Sequence, residues 1–101
     1  MDFLARIKRC ALLGHVRFTL KAVAERTADD LTELEVYESL VNAVRIEKRL
    51  RSTSPFRHGR EYLYVIKSPT VAGVLVYTKG KLVVENGVET YYLLVSAKIA
   101  D

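Results

Sequence analysis

The chain has one cysteine, two histidines, two prolines and only five glycines among its 101 residues. Each shortage closes a class of function. A lone cysteine, Cys10, forms no internal disulfide, which argues against a small secreted domain stapled by bridges. His15, His58 and Cys10 lack metal-ligand spacing, so neither a zinc site nor any cofactor is expected. Gly80 and Gly87 read as turn glycines, and no phosphate-cradling glycine loop surrounds them. Ser52 and Ser54 have no base at a recognisable spacing. Asp29 and Asp30 read as a loop ahead of a helix rather than as a catalytic carboxylate pair. No apolar run is long enough to cross a bilayer. Residues 1–9 mix charges into apolar positions, whereas a signal peptide separates a basic start from an apolar stretch, so the protein is expected in the cytoplasm.

What is present is hydrophobic residue, at 50% of the chain, enough for one core and one domain over residues 1–101. Phe3, Leu4, Ile7, Cys10 and Ala11 recur on one helix face, and Gly14 is a natural stop. Cys10 lies on that apolar stripe and reads as core rather than nucleophile. His15–Phe18 reads as a short extended link. Thr19 can cap a second helix to about Arg26, with Leu20, Val23 and Ala24 inward. Thr32 and Glu35 have capping-box spacing, flanked by Leu31 and Val36 as a hydrophobic staple, which predicts a third helix to about Asn42.

After Val44 the period becomes alternating. Val44, Ile46, Lys48 and Leu50 fall on one side; Arg45, Glu47, Arg49 and Arg51 fall on the other. Residues 52–59 read as a loop. Strands are expected over residues 61–67, 74–78, 81–85 and 88–97, with Asn86-Gly87 as a hairpin turn. Helices over about residues 2–43, followed by strands over about 44–98, predict an α+β fold with helices on one face of a mostly antiparallel twisted sheet.

The net charge of +4 permits an anionic partner, and its distribution is uneven. Arg45, Lys48, Arg49, Arg51, Arg57 and Arg60, with His58, face only Glu47 among acids in that stretch. Phe56, Tyr62 and Tyr64 lie within or beside it. Cations beside flat rings suit phosphates and unstacked bases of single-stranded RNA. A solvated sheet edge guarded by charge is the alternative. Lys48 on an apolar face must reach the edge or line a cleft. Tyr77 and Lys79 share one face; Tyr92, Leu94, Ser96 and Lys98 share another by period two. Strand ends that converge would gather Lys48, Tyr77, Lys79 and Lys98 into a basic pocket.

Val16-Arg17-Phe18-Thr19 leading into a helix, then a second helix and a basic strand and loop, resembles the MqsR-like toxins of the RelE-like superfamily of messenger-RNA interferases. Val76-Tyr77-Thr78-Lys79 resembles the family's Val-Tyr-x-Lys strand. Val95-Ser96-Ala97-Lys98 resembles its final Val-Ser-Phe-Lys strand, with Ala97 in place of phenylalanine. The resemblance implies a RelE-like fold and metal-independent endoribonuclease activity on messenger RNA. It implies a cognate antitoxin partner and leaves open whether the ribosome takes part. It implies that Tyr77, Lys98 and Lys48 are active-site residues. Arg60 joins them as a catalytic candidate, and Arg49, Arg51, Arg57, Tyr62, Lys79 and Lys81 are the candidates for binding RNA. A family glutamine falls near Arg60 or Glu61, and this chain has no glutamine.

In such chemistry the RNA 2′-hydroxyl attacks the adjacent phosphorus, and the protein moves protons and stabilises the phosphorane charge. Lys48 and Lys98 are candidates for proton transfer or phosphate stabilisation. Tyr77 would orient the phosphate or act as acid. Arginines keep their charge and suit the developing negative charge. A non-catalytic RNA-binding module and a degenerate toxin that binds only a protein remain the alternatives.

Overall fold

The structure is a computed structural model and describes residues 2–51 and 61–101. Helix α1 spans Phe3–Leu12. The Asp2 side chain accepts from the Ala5 N–H at 2.7 Å to cap its start. Gly14 closes it with a φ of 73°, and the Gly14 and His15 N–H groups return to the Ala11 and Cys10 carbonyls. Ile7, Cys10 and Ala11 are its buried stripe.

Helix α2 covers Leu20–Ala28, with Thr19 accepting from the Ala22 N–H. Its inward face differs from expectation. Leu20 is 89% exposed, and Ala22 is the residue fully buried. The reason is its placement against the edge of the sheet rather than a sheet face. Ala22, Glu25 and Asp29, at helical spacing, meet the last strand. Helix α3 covers Glu33–Asn42. Its capping box is complete: the Glu35 N–H donates to Thr32 Oγ1 at 3.1 Å and the Thr32 N–H to Glu35 Oε1 at 3.0 Å. Leu31 and Val36, on either side, are both buried.

Five strands follow the order β1-β5-β4-β3-β2, with β1 at Val16–Phe18, β2 at Lys48–Arg51, β3 at Tyr62–Pro69, β4 at Leu75–Glu85 and β5 at Val88–Ile99. Three pairings are antiparallel, but β1 runs parallel to β5, so the sheet is mixed. The segment read as a link is therefore an edge strand, with Val16 opposite Tyr92 and Phe18 opposite Leu94. Strand β2 begins at Lys48 rather than after Val44, which is exposed. Asn86 and Gly87 both have positive φ, 53° and 76°, as a two-residue hairpin turn requires.

Gly80 is not a turn residue. Strand β4 passes straight through it. A Cβ there would stand 2.7 Å from both the Leu93 carbonyl oxygen and the Tyr92 ring, so the missing side chain makes room for that ring. Tyr64, Ile66, Val76, Tyr92, Leu94 and Ala97 face Ile7, Val36 and Leu40 of α1 and α3 in the core. This is the inner face of the sheet.

Two extra residues on β5, Thr90 and Val95, shift its register against β4. Each is a bulge that changes which face the following residues occupy.

Candidate nucleic-acid interface

Strand alternation sends odd-numbered residues of β3 and β4 to the outer face, away from α1 and α3. Lys67 of β3, Tyr77 of β4 and Lys98 of β5 lie in one cross-strand row. The Lys98 ammonium stands 5.4 Å from the centroid of the Tyr77 ring. Lys67 and Lys98 are exposed and Tyr77 is half-buried. With Ile99, Ala100 and Asp101 these three line a cavity of about 270 Å³.

Lys98 reaches this row only because of a bulge. Lys79 pairs with Ser96, yet Gly80 pairs with Leu94. Val95 is the surplus residue. Period-two reading put Lys98 on the same face as Tyr92 and Leu94; the bulge reverses it. Tyr92 and Leu94 are fully buried in the core, whereas Lys98 stands opposite Tyr77.

The next row places Lys48, Val65 and Lys79 side by side. Val65 is fully buried between two lysines and lies outside the inner-face core cluster. Lysine stems suit such a position, covering apolar surface while their ammonium groups stay wet. Strand β2 thus turns Lys48 and Leu50 to the outer side, whereas Ile46, ahead of the strand, packs against the core; Lys48 is exposed rather than set in a cleft. From Tyr77, Lys48 is two residues along and two strands across, roughly 12 Å at ordinary strand spacings. It shares the face of the row but not its cavity.

Lys81 also lies on the outer face, where its ammonium is 2.7 Å from Glu61 Oε1. That pair spends its charge locally. Arg49, Arg51 and Tyr62 occupy the opposite, inner face. Arg51 pairs with Tyr62 and Arg49 with Tyr64, and the Arg49 guanidinium sits 4.2 Å from the Tyr62 ring centroid. Tyr62 and Tyr64 pack with the core, and burial pushes the Tyr64 phenol above its usual range. The sheet therefore divides the candidate residues into two groups. Arg57 and Arg60, with Phe56 and His58, lie outside the described residues.

Sequence reasoning missed Lys67. Its signal was alternation with Leu63 and Val65 on β3, opposite Tyr62, Tyr64 and Ile66. Its alignment with Tyr77 comes from the short turn at residues 70–73, where the Thr70 N–H donates to the Val74 carbonyl. Burial raises the Cys10 thiol, which suits a core residue rather than a nucleophile. Among the described residues no three histidine, cysteine or acidic side chains cluster as metal ligands, and no helix is long and apolar enough to cross a membrane.

The arrangement offers two exposed ammonium groups flanking a phenol, with further cations one strand step away. Such a row can bind a phosphate diester and supply or accept a proton beside it. Comparison with known proteins finds no family model, no curated protein and no solved structure that matches this chain.

Proposed function

We propose that the protein binds single-stranded RNA on the outer sheet face and cleaves it at the Lys67–Tyr77–Lys98 row. The observation that carries this reading is the in-register alignment of a phenol between two lysines, with one ammonium 5.4 Å from the ring centroid. The RNA 2′-hydroxyl attacks the neighbouring phosphorus, a new O–P bond forms, and the bond to the 5′-oxygen breaks. One proton leaves the 2′-oxygen and one arrives at the 5′-oxygen. Lys98 and Tyr77 are the groups nearest each other for those transfers, and Lys67, Lys79 and Lys48 hold phosphates. The products are a 2′,3′-cyclic phosphate and a free 5′-hydroxyl.

The toxin assignment belongs to the same reading. It rests on the likeness of Val76–Lys79 and Val95–Lys98 to MqsR-like strands, and it brings with it a RelE-like fold, a protein antitoxin and action in the cytoplasm. A second reading, RNA binding without cleavage, is favoured by one feature: the chain lacks any glutamine to fill the family's position near Arg60.

Incubation of the purified protein with a mixed-sequence RNA in excess EDTA separates the two. Cuts ending in 2′,3′-cyclic phosphate support cleavage. Salt-sensitive retention of intact RNA selects the binding module. RNA neither bound nor cut rejects both.

A further inference from the structure

We infer that the bound strand runs along β4 toward the Asn86-Gly87 hairpin, and that the Arg17–Tyr91 pair stacks one of its bases. This rests on the RNA-binding reading and extends it to residues at the far end of the face. Arg17 of β1 is in register with Leu93, and Tyr91 lies two residues before Leu93 on β5. The Arg17 guanidinium stands 4.3 Å from the Tyr91 ring centroid. Tyr91 in turn is opposite Val83 of β4. Val83 is six residues along β4 from Tyr77, a distance of about 20 Å on an extended strand. That length accommodates an extended strand of a few nucleotides between the phosphate row and the stacked pair.

The pair differs from the other ring–guanidinium contacts among the described residues. Arg26 covers Phe18 and Arg49 covers Tyr62, and both of those rings pack against the core; Arg6 covers the exposed Phe3 ring, but its guanidinium is already paired with Glu89. Tyr91 is outside that core cluster. Arg17 is exposed and makes no ion pair with a described residue. The Tyr91 hydroxyl bonds to no described residue either. An exposed guanidinium plane lying on a ring is a ready stacking platform for a nucleobase, and its charge draws the adjoining phosphate. The stretch between the two ends is suited to the strand's less charged parts. Lys81 is neutralised by Glu61, and Leu63 and Leu93 share its face, while Lys79 keeps a cation one step from Tyr77.

The test is fluorescence anisotropy with an end-labelled oligonucleotide of 2′-O-methyl riboses, which lacks the attacking hydroxyl and stays intact. Arg17→Ala and Tyr91→Leu are each expected to weaken binding by about tenfold, the scale of one lost base stack. Tyr91→Phe keeps the ring and should bind as the native protein does. Replacing bases one at a time by abasic units should identify one position that weakens the native protein and leaves Arg17→Ala unaffected. If Arg17→Ala and Tyr91→Leu bind normally while Lys98→Ala binds poorly, the strand takes another path and the phosphate row stands. If the native protein binds none of these oligonucleotides and no RNA, both inferences fall.

Discussion

Tyr77 and Lys98 stand opposite each other on β4 and β5, with the lysine ammonium over the tyrosine ring at 5.4 Å from its centroid. A cation in that position is attracted by the ring's quadrupole, which holds both side chains in one place. Lys67 closes the row from the other side of Tyr77. The phenol is thereby fixed between two charges on a rigid sheet rather than on a loop.

Removal of either partner is expected to slow RNA cleavage by about 100-fold or more, the usual contribution of a positioned proton donor or acceptor. Tyr77→Phe keeps the ring and loses the hydroxyl; Lys98→Ala loses the ammonium. Gel assays of a long transcript, with circular dichroism to verify folding, measure both. Native rates in both variants would exclude the row from the chemistry.

The two faces should separate in their salt dependence. Each phosphate contact to a single strand adds about 0.7 to the slope of log affinity against log salt. Lys67→Ala and Lys79→Ala should each flatten the slope by about that amount. Arg49→Ala should not, because its guanidinium is stacked on Tyr62 at the inner face. A flattened slope in Arg49→Ala would place RNA on the wrong side of the sheet for this reading.

Gly80→Ala is expected to destabilise the fold by about 1–3 kcal/mol through overpacking. Its Cβ would press on the Leu93 carbonyl and the Tyr92 ring, both at 2.7 Å. Urea titration should report a lower midpoint with an unchanged slope. Adding Tyr92→Leu removes the ring that Gly80 accommodates, so the double variant should lose less than the two single losses added together.

Tyr92 gives the protein an alkaline limit. Burial pushes its phenol far above the usual value of 10.0. The unfolded chain therefore releases this proton first, and the unfolded state gains as pH rises. The contribution is complete below pH 10 and declines above it by about 1.4 kcal/mol per pH unit for one such group. Tyr37 and Tyr64 shift in the same direction. Tyr92→Phe should equal or trail the native protein in urea at pH 8 and overtake it near pH 11. An unchanged gap between the two at both values would contradict this assignment.

Local rules made the helices legible. Thr19 and Thr32, read as caps from the sequence, each accept from a backbone N–H in the first turn, while the Asp2 cap of α1 emerged only in the structure. Asn86-Gly87 announced its hairpin through residues that tolerate positive φ. Long-range features were not legible. Three residues of β1 carry too little pattern to disclose a parallel partner 76 positions away, as at Val16 and Tyr92. Period two sorted Lys48 from Arg49 but did not tell which side the helices would cover. The same rule failed at Lys98, because no residue type marks Val95 as surplus. Gly80 looked like a turn because the reason for a glycine there, the Tyr92 ring, comes from a neighbouring strand.

The carboxylates of α2 govern how this sheet meets other chains. Glu25 Oε1 accepts from the Ala97 N–H and from Ser96 Oγ, and Asp29 Oδ2 accepts from the Ile99 N–H at 2.8 Å. Toward the end of β5, past its pairing with β1, the Ala97 and Ile99 donors are thus satisfied by a helix of its own chain. A foreign strand gains nothing by docking there and would first have to displace two anions. Lys98 lies between those two sealed positions, so no added strand roofs it from this side, and its ammonium stays accessible to whatever diffuses onto the sheet.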